Sequence, residues 1–140
     1  MQVQFFFEHK NIPLTDRTRL KKFISQIFKT ENRRLSNLNY IFCSDARLLK
    51  INKDYLNHNY YTHIITFDFS EPGQAISGEI YISTDRVRDN AGHLGVTIQE
   101  ELHRVVFHGA LHLCGYKDKK AAEQRRMRTR ENQLLKAYFS

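Results

Sequence analysis

Two histidines four residues apart, a glycine and then an aspartate form the pattern in this chain best suited to chemistry: His108, His112, Gly115 and Asp118. The segment that carries the histidines, His108-Gly109-Ala110-Leu111-His112-Leu113-Cys114, is apolar and helix-forming. An α-helix turns once in about 3.6 residues, so positions four apart share a face. Two imidazoles on one face can bind the same divalent cation. Gly115 can take the left-handed conformation that ends a helix and turns the chain back. Asp118 could then return as a third ligand. Three protein ligands leave a tetrahedral ion one open position, which separates catalytic zinc sites from structural ones. The bland alternative is two hydrogen-bonded core histidines and a surface aspartate among lysines.

The elements that must hold these residues follow from patterning. Thr97 and Glu100, three apart, form a capping-box pair and open a helix expected to run to about Cys114. Leu102, Val105, Val106, Leu111 and Leu113 make that helix apolar on more than one side, which predicts a central, covered position. Imidazoles in such a helix need partners for their nitrogens. Upstream, residues 3–8 read as a strand. Pro13 with Thr15 or Asp16 opens a helix in which Leu20, Phe23, Ile24, Ile27 and Phe28 keep amphipathic spacing. Residues 37–44 read as a second strand, and Asp45 is expected to cap a short helix carrying Leu48, Leu49, Asn52 and Tyr55. Residues 57–61 are turn-like. Strands over 62–69 and 78–83, joined by a turn at 71–74, predict an antiparallel hairpin. Thr84 or Asp85 starts a brief helix. Residues 119–139 read as a terminal helix docked through Met127, Leu134, Leu135 and Tyr138. The order βαβαββααα predicts an α+β fold: one domain over 1–140, about four strands in a mixed sheet, and packed helices.

Composition narrows the setting. A chain of 140 residues is most simply one domain and can bury roughly two thirds of its unfolded surface. Cys43 and Cys114 are far apart and form no C-x-x-C, so neither a disulfide framework nor a four-thiolate zinc site is expected. Cys114, inside the motif turn, reads as a small buried thiol. The first ten residues lack a basic leader region, and no run approaches ~20 apolar residues, so a soluble cytoplasmic protein with no membrane association is expected. The formal net charge is +7, which suggests polyanionic partners, nucleic acid being the commonest. Much of that charge lies in the terminal helix, at Arg125, Arg126, Arg128 and Arg130.

The spacing H-x-x-x-H-x-x-G-x-x-D resembles the layout of metzincin proteases, with aspartate in the last place. Those proteases carry a glutamate directly after the first histidine as general base. Here that residue is Gly109, which offers no side-chain proton acceptor. A zinc protease is therefore the weaker reading.

The run His108-Gly-Ala-Leu-His-Leu-Cys-Gly-Tyr116 resembles the signature of the YbeY family, bacterial endoribonucleases of ribosomal RNA maturation. Thr62 to Phe67 (T-H-I-I-T-F) is similar to that family's T-D-V-L-S-F strand, and Gly78 to Ser83 (G-E-I-Y-I-S) to its G-D-I-x-I-S strand. Glu101, Leu102 and Arg104 precede the histidines as they do in the family. The resemblance covers most of the chain. It implies a metal-dependent endoribonuclease working on ribosomal RNA or ribosomal subunits, with one divalent ion, zinc by expectation, on His108, His112 and Asp118.

Three departures bear on mechanism. The family signature usually ends in Asp-His, and here Lys117 and Asp118 stand in those places. A carboxylate is an acceptable zinc ligand, but its charge should leave bound water less acidic than three neutral ligands would. The family also has an arginine before the T-D-V-L-S-F strand. Counting without gaps puts Leu56 there, a shortened loop being the other alignment, and either way no arginine lies between Lys53 and Thr62. A guanidinium able to stabilise a phosphorane-like transition state is thus missing from that segment. Lastly, His63 replaces the strand's aspartate. No general base is assigned: His63 and Glu79 qualify by strand position alone, against structural or solvated readings.

RNA binding would rest on phosphate contacts from Arg125, Arg126, Arg128 and Arg130, with a solvated helix face as the bland reading. Tyr60 and Tyr61 could stack on bases, or serve as packing residues. The missing arginine keeps open a metal-stabilised RNA-binding or ribosome-associated factor without nuclease activity.

Overall fold

The computed structural model describes residues 2–8, 14–56 and 62–140. Pro13, the 57–61 turn, Tyr60 and Tyr61 lie outside the described residues. In chain order the elements are β1 (Val3–Phe7), α1 (Arg17–Thr30), β2 (Leu35–Cys43), α2 (Asp45–Leu56), β3 (Ile64–Asp68), β4 (Ile76–Ser83), α3 (Thr84–Leu94), α4 (Ile98–Leu113) and α5 (Ala121–Phe139). The four strands form one mixed sheet in the order β1-β2-β4-β3. β1 pairs with β2, and β2 with β4, in parallel; β3 and β4 form the antiparallel hairpin. The α+β reading and the element order hold.

Alternation along the strands sends side chains to opposite faces of the sheet. Leu38, Tyr40, Phe42, Ile80 and Ile82 point to one face and share a core with α1, α3, α4 and α5. Cys43 and Ile65 point to the other and pack with Leu48 and Ile51 of α2. α4 is the covered helix that its sequence predicts: Leu102, Val105, Val106, Phe107, Ala110 and Leu111 are all buried. The Tyr40 hydroxyl, fully buried in β2, donates to the Val106 carbonyl at 2.8 Å and ties helix to sheet.

Glycine sets how closely α4 approaches the sheet. A Cβ on Gly109 would come within 2.8 Å of Ile80 Cδ1 and 3.1 Å of Ile64 Cδ1. Across the same seam a Cβ on Gly78 would meet the Phe67 carbonyl oxygen at 2.8 Å and Leu113 Cδ1 at 3.2 Å.

The helix starts follow their chemistry with two exceptions, one of them at α1, where Asp16 stands at φ 53° and makes no side-chain cap hydrogen bond. The Thr97 side chain accepts from the Glu100 amide at the start of α4, and Ser83 accepts from Arg86 at the start of α3. At α2 the cap is Ser44, whose hydroxyl accepts from the Arg47 amide at 3.1 Å, rather than Asp45. Asp45 is drawn elsewhere: its carboxylate accepts from Arg86 Nη2 and Ser83 Oγ, both at 2.6 Å. A charged partner and a hydroxyl outcompete a backbone amide for that carboxylate. Both cysteines are buried free thiols, and burial pushes Cys114 up to about 12. Among the described residues no helix is long and apolar enough to cross a membrane.

Candidate metal centre and the pocket beside it

α4 presents His108 and His112 near its C-terminal end. Gly115 follows at φ 105°, in the left-handed region that glycine enters without strain. The turn is closed by the Tyr116 amide donating to the Leu111 carbonyl at 3.0 Å. The reversal returns Asp118 to the helix, with Oδ2 3.2 Å from His108 Nε2. His108, His112 and Asp118 line one hollow of about 290 Å³, together with Leu56 and His63.

The other nitrogen of His108 is already committed. Nδ1 lies 2.7 Å from Oε2 of Glu131, which comes from α5 and has a side chain only 5% exposed. Glu131 is held in turn by Arg104 Nη1 at 3.1 Å, with Arg128 Nη1 3.6 Å away. A carboxylate on one imidazole nitrogen fixes the ring's tautomer and orientation and raises the basicity of the other nitrogen. Nε2 is therefore the nitrogen turned into the hollow, where it meets Asp118.

The electrostatics follow from these contacts. Burial works against a charged His108, but the hydrogen bond and charge of Glu131, joined by Asp118, raise its pKa above the usual histidine value. Burial likewise disfavours the Glu131 carboxylate, and His108 and Arg104 overcome it and lower its pKa. His112 is lowered mainly by burial. His63 is lowered by burial and then by the neighbouring His108, whose ring centroid is 6.3 Å away. His63 and His112 are thus neutral imidazoles at pH 7, the form that can accept a proton or bind a cation.

Two imidazoles and a carboxylate fit zinc by donor type. The pairing of His108 Nδ1 with a buried carboxylate fits as well, because metal-bound histidines generally carry such a partner. Among the described residues no group of three or more His, Cys, Asp or Glu side chains is already drawn together as a metal ion would require. The donors share a hollow, and His108 and Asp118 are in direct contact.

The remaining sequence candidates separate by position. Glu79 accepts from the Tyr81 hydroxyl at 3.1 Å, and both alternate with the inward-facing Ile80 and Ile82, so it stands on the sheet face away from α4. Of the four terminal arginines, Arg125 and Arg128 line a pocket that also reaches His63, His108 and Asp118. Arg126 instead covers the Tyr116 ring at 4.6 Å, and Arg130 pairs with Glu31 of the α1 end at 3.1 Å. Leu56 borders the hollow, so the place counted for the family's arginine is occupied by an apolar side chain. Glu131 escaped the sequence reading, although a signal was present. It lies in the inward stripe Met127, Glu131, Leu134, Leu135, Tyr138, and a lone carboxylate in such a stripe demands a partner.

Comparison with known proteins finds relatives over most of the chain. The family model described as Endoribonuclease YbeY matches residues 4–139. An Endoribonuclease YbeY from Cytophaga hutchinsonii is 49% identical over 131 residues, covering 94% of this chain and 92% of that protein. Proteins of the same name from Flavobacterium psychrophilum and Parabacteroides distasonis are 46% and 41% identical, over 89% and 96% of this chain and 89% and 94% of their own lengths. In three dimensions the fold is similar to the solution structure of TM1509 from Thermotoga maritima, with a TM-score of 0.68 and 25% identity over 98% of this chain and 89% of that one. The match takes in the histidine helix, the turn to Asp118 and the helix that supplies Glu131, and this chain belongs to the Endoribonuclease YbeY family.

Proposed function

We propose that this protein is a metal-dependent endoribonuclease of ribosomal RNA maturation, acting in the cytoplasm with one zinc ion held by His108, His112 and Asp118. The observation that carries the reading is the buried Glu131 on His108 Nδ1, which turns Nε2 toward Asp118 in a hollow shared with His112. When bound, the ion supplies Lewis acidity toward a phosphodiester oxygen or a water molecule. The protein's own residues do the rest. Arg104 fixes Glu131, and Glu131 fixes the His108 ring. His63 borders the hollow as a neutral imidazole within reach of a proton released there. Arg125 and Arg128 offer cations to RNA phosphates on the α5 side.

The test is cleavage of a structured ribosomal RNA fragment by the tag-free protein. Cleavage that stops on chelation and returns with added zinc is expected. Undiminished cleavage in the presence of chelator would contradict metal dependence, and no cleavage at all would contradict the nuclease reading. Leu56, bordering the hollow in the place counted for an arginine, favours a second reading, an RNA-binding ribosomal factor that does not cut. RNA binding without cleavage in the same assay would select it.

A further inference from the structure

We infer that the pocket between α3, α4 and α5 is a nucleotide subsite, taking one nucleotide of the RNA with its phosphate on Arg125 and Arg128 and its base edge toward Glu101. This rests on the nuclease reading and says where the substrate lies. The pocket measures about 560 Å³, within the usual range for a small-molecule site and large enough for a nucleotide. It shares His63, His108 and Asp118 with the hollow, so a chain running from one into the other passes the histidines.

Its walls divide by chemistry. Leu94, at the end of α3, is 54% exposed and borders the pocket opposite Val105 and Met127. Apolar walls of this kind suit the faces of an unstacked base. Arg128 is 54% exposed on its side chain, and Arg125 makes no ion pair or hydrogen bond among the described residues, which leaves it free to meet a phosphate.

Glu101 is the feature that packing alone does not explain. It lines the pocket, is only 5% exposed, and its Oε1 is fully covered with no hydrogen-bond partner among the described residues. Burial raises its pKa against the opposing pull of Arg104 and Arg128. Buried polar atoms in native proteins are rarely left unpaired, and an orphan on a side chain that lines a pocket points to a partner from outside, met when the carboxylate turns toward the pocket. The Watson–Crick edge of every base carries an N–H donor able to supply it.

Fluorescence anisotropy with a labelled single-stranded RNA ten-mer, on chelator-treated protein so that nothing is cut, tests the assignment. Arg125→Ala/Arg128→Ala should weaken binding at least tenfold and reduce the salt slope by about 0.7, the loss of one phosphate contact on single-stranded RNA. Glu101→Gln should keep the salt slope and weaken all four nucleoside 5′-monophosphates as competitors, because a neutral amide accepts a base N–H less strongly than a carboxylate does; unchanged competition would remove Glu101 from the subsite. Lys22→Ala, on exposed α1, should change nothing. The arginine pair is exposed, so its variant folds even if Glu101→Gln does not, and thermal melts identify that case. If wild type binds RNA, and cuts it once zinc is restored, while the arginine variant binds within twofold of wild type, the subsite is wrong and the nuclease reading stands. If wild type neither binds nor cuts, both fall together.

Discussion

At the scale of single residues, the centre depends on a carboxylate on each side of one imidazole. Glu131 holds His108 Nδ1 at 2.7 Å, and Asp118 lies 3.2 Å from Nε2. Only the second of these contacts was legible in the chain, because Asp118 follows the histidines after a glycine break. Glu131 is 23 residues beyond His108, and its role appears only when α5 packs across α4. Its contribution is orientation rather than ligation. Glu131→Gln is therefore expected to lower zinc affinity by about 10- to 100-fold while the fold persists. Competition against a chromogenic chelator measures this, and an affinity within twofold of wild type would remove Glu131 from the centre. The arginines show the limit of reading charge from sequence. Four in six residues looked like one basic surface, but the pitch of α5 sends Arg125 and Arg128 to the pocket, Arg126 to Tyr116 and Arg130 to Glu31.

At the scale of elements, α4 explains why the motif departs from that of a protease. A residue directly after His108 is rotated about 100° from it around the helix, and here that direction faces the sheet. A Cβ at position 109 would already press on Ile80 and Ile64, so a glutamate there would be forced into the core, away from the hollow. Gly109→Glu should accordingly destabilise the domain by more than about 3 kcal/mol, from overpacking and a buried carboxylate, without creating peptidase activity. Urea unfolding reads this directly, and an unchanged midpoint would mean that α4 does not pack on the sheet as described. The periodicity of α4 and its Thr97 cap were legible because both are local. The cap of α2 was not, since Asp45 is claimed by Arg86, 41 residues away, leaving Ser44 to take the amide. Tertiary partners decide which of two adjacent capping residues is used.

At the scale of the whole molecule, the sheet and five helices bring three distant stretches of sequence to one place. The bend just before β3 supplies His63, α4 and its turn supply the two histidines and Asp118, and α5 supplies Glu131 with two arginines. Alternation and helical spacing made the elements and their order legible. The strand order β1-β2-β4-β3 and the crossing of α5 over α4 are set by long-range packing, which local patterning does not encode. A net charge of +7 suits an endoribonuclease, and part of it, on Arg125 and Arg128, lines the pocket that also reaches His63 and His108. The central claim is that this assembly exists to hold one metal ion. Elemental analysis of tag-free protein, with Asp118→Ala measured beside it, tests that claim most directly. About one zinc per chain in the wild type, lost in a variant that melts as wild type does, is the result expected of a two-histidine, one-aspartate centre. A wild type that holds no metal after zinc addition and dialysis, or a variant that keeps its full share, would contradict it.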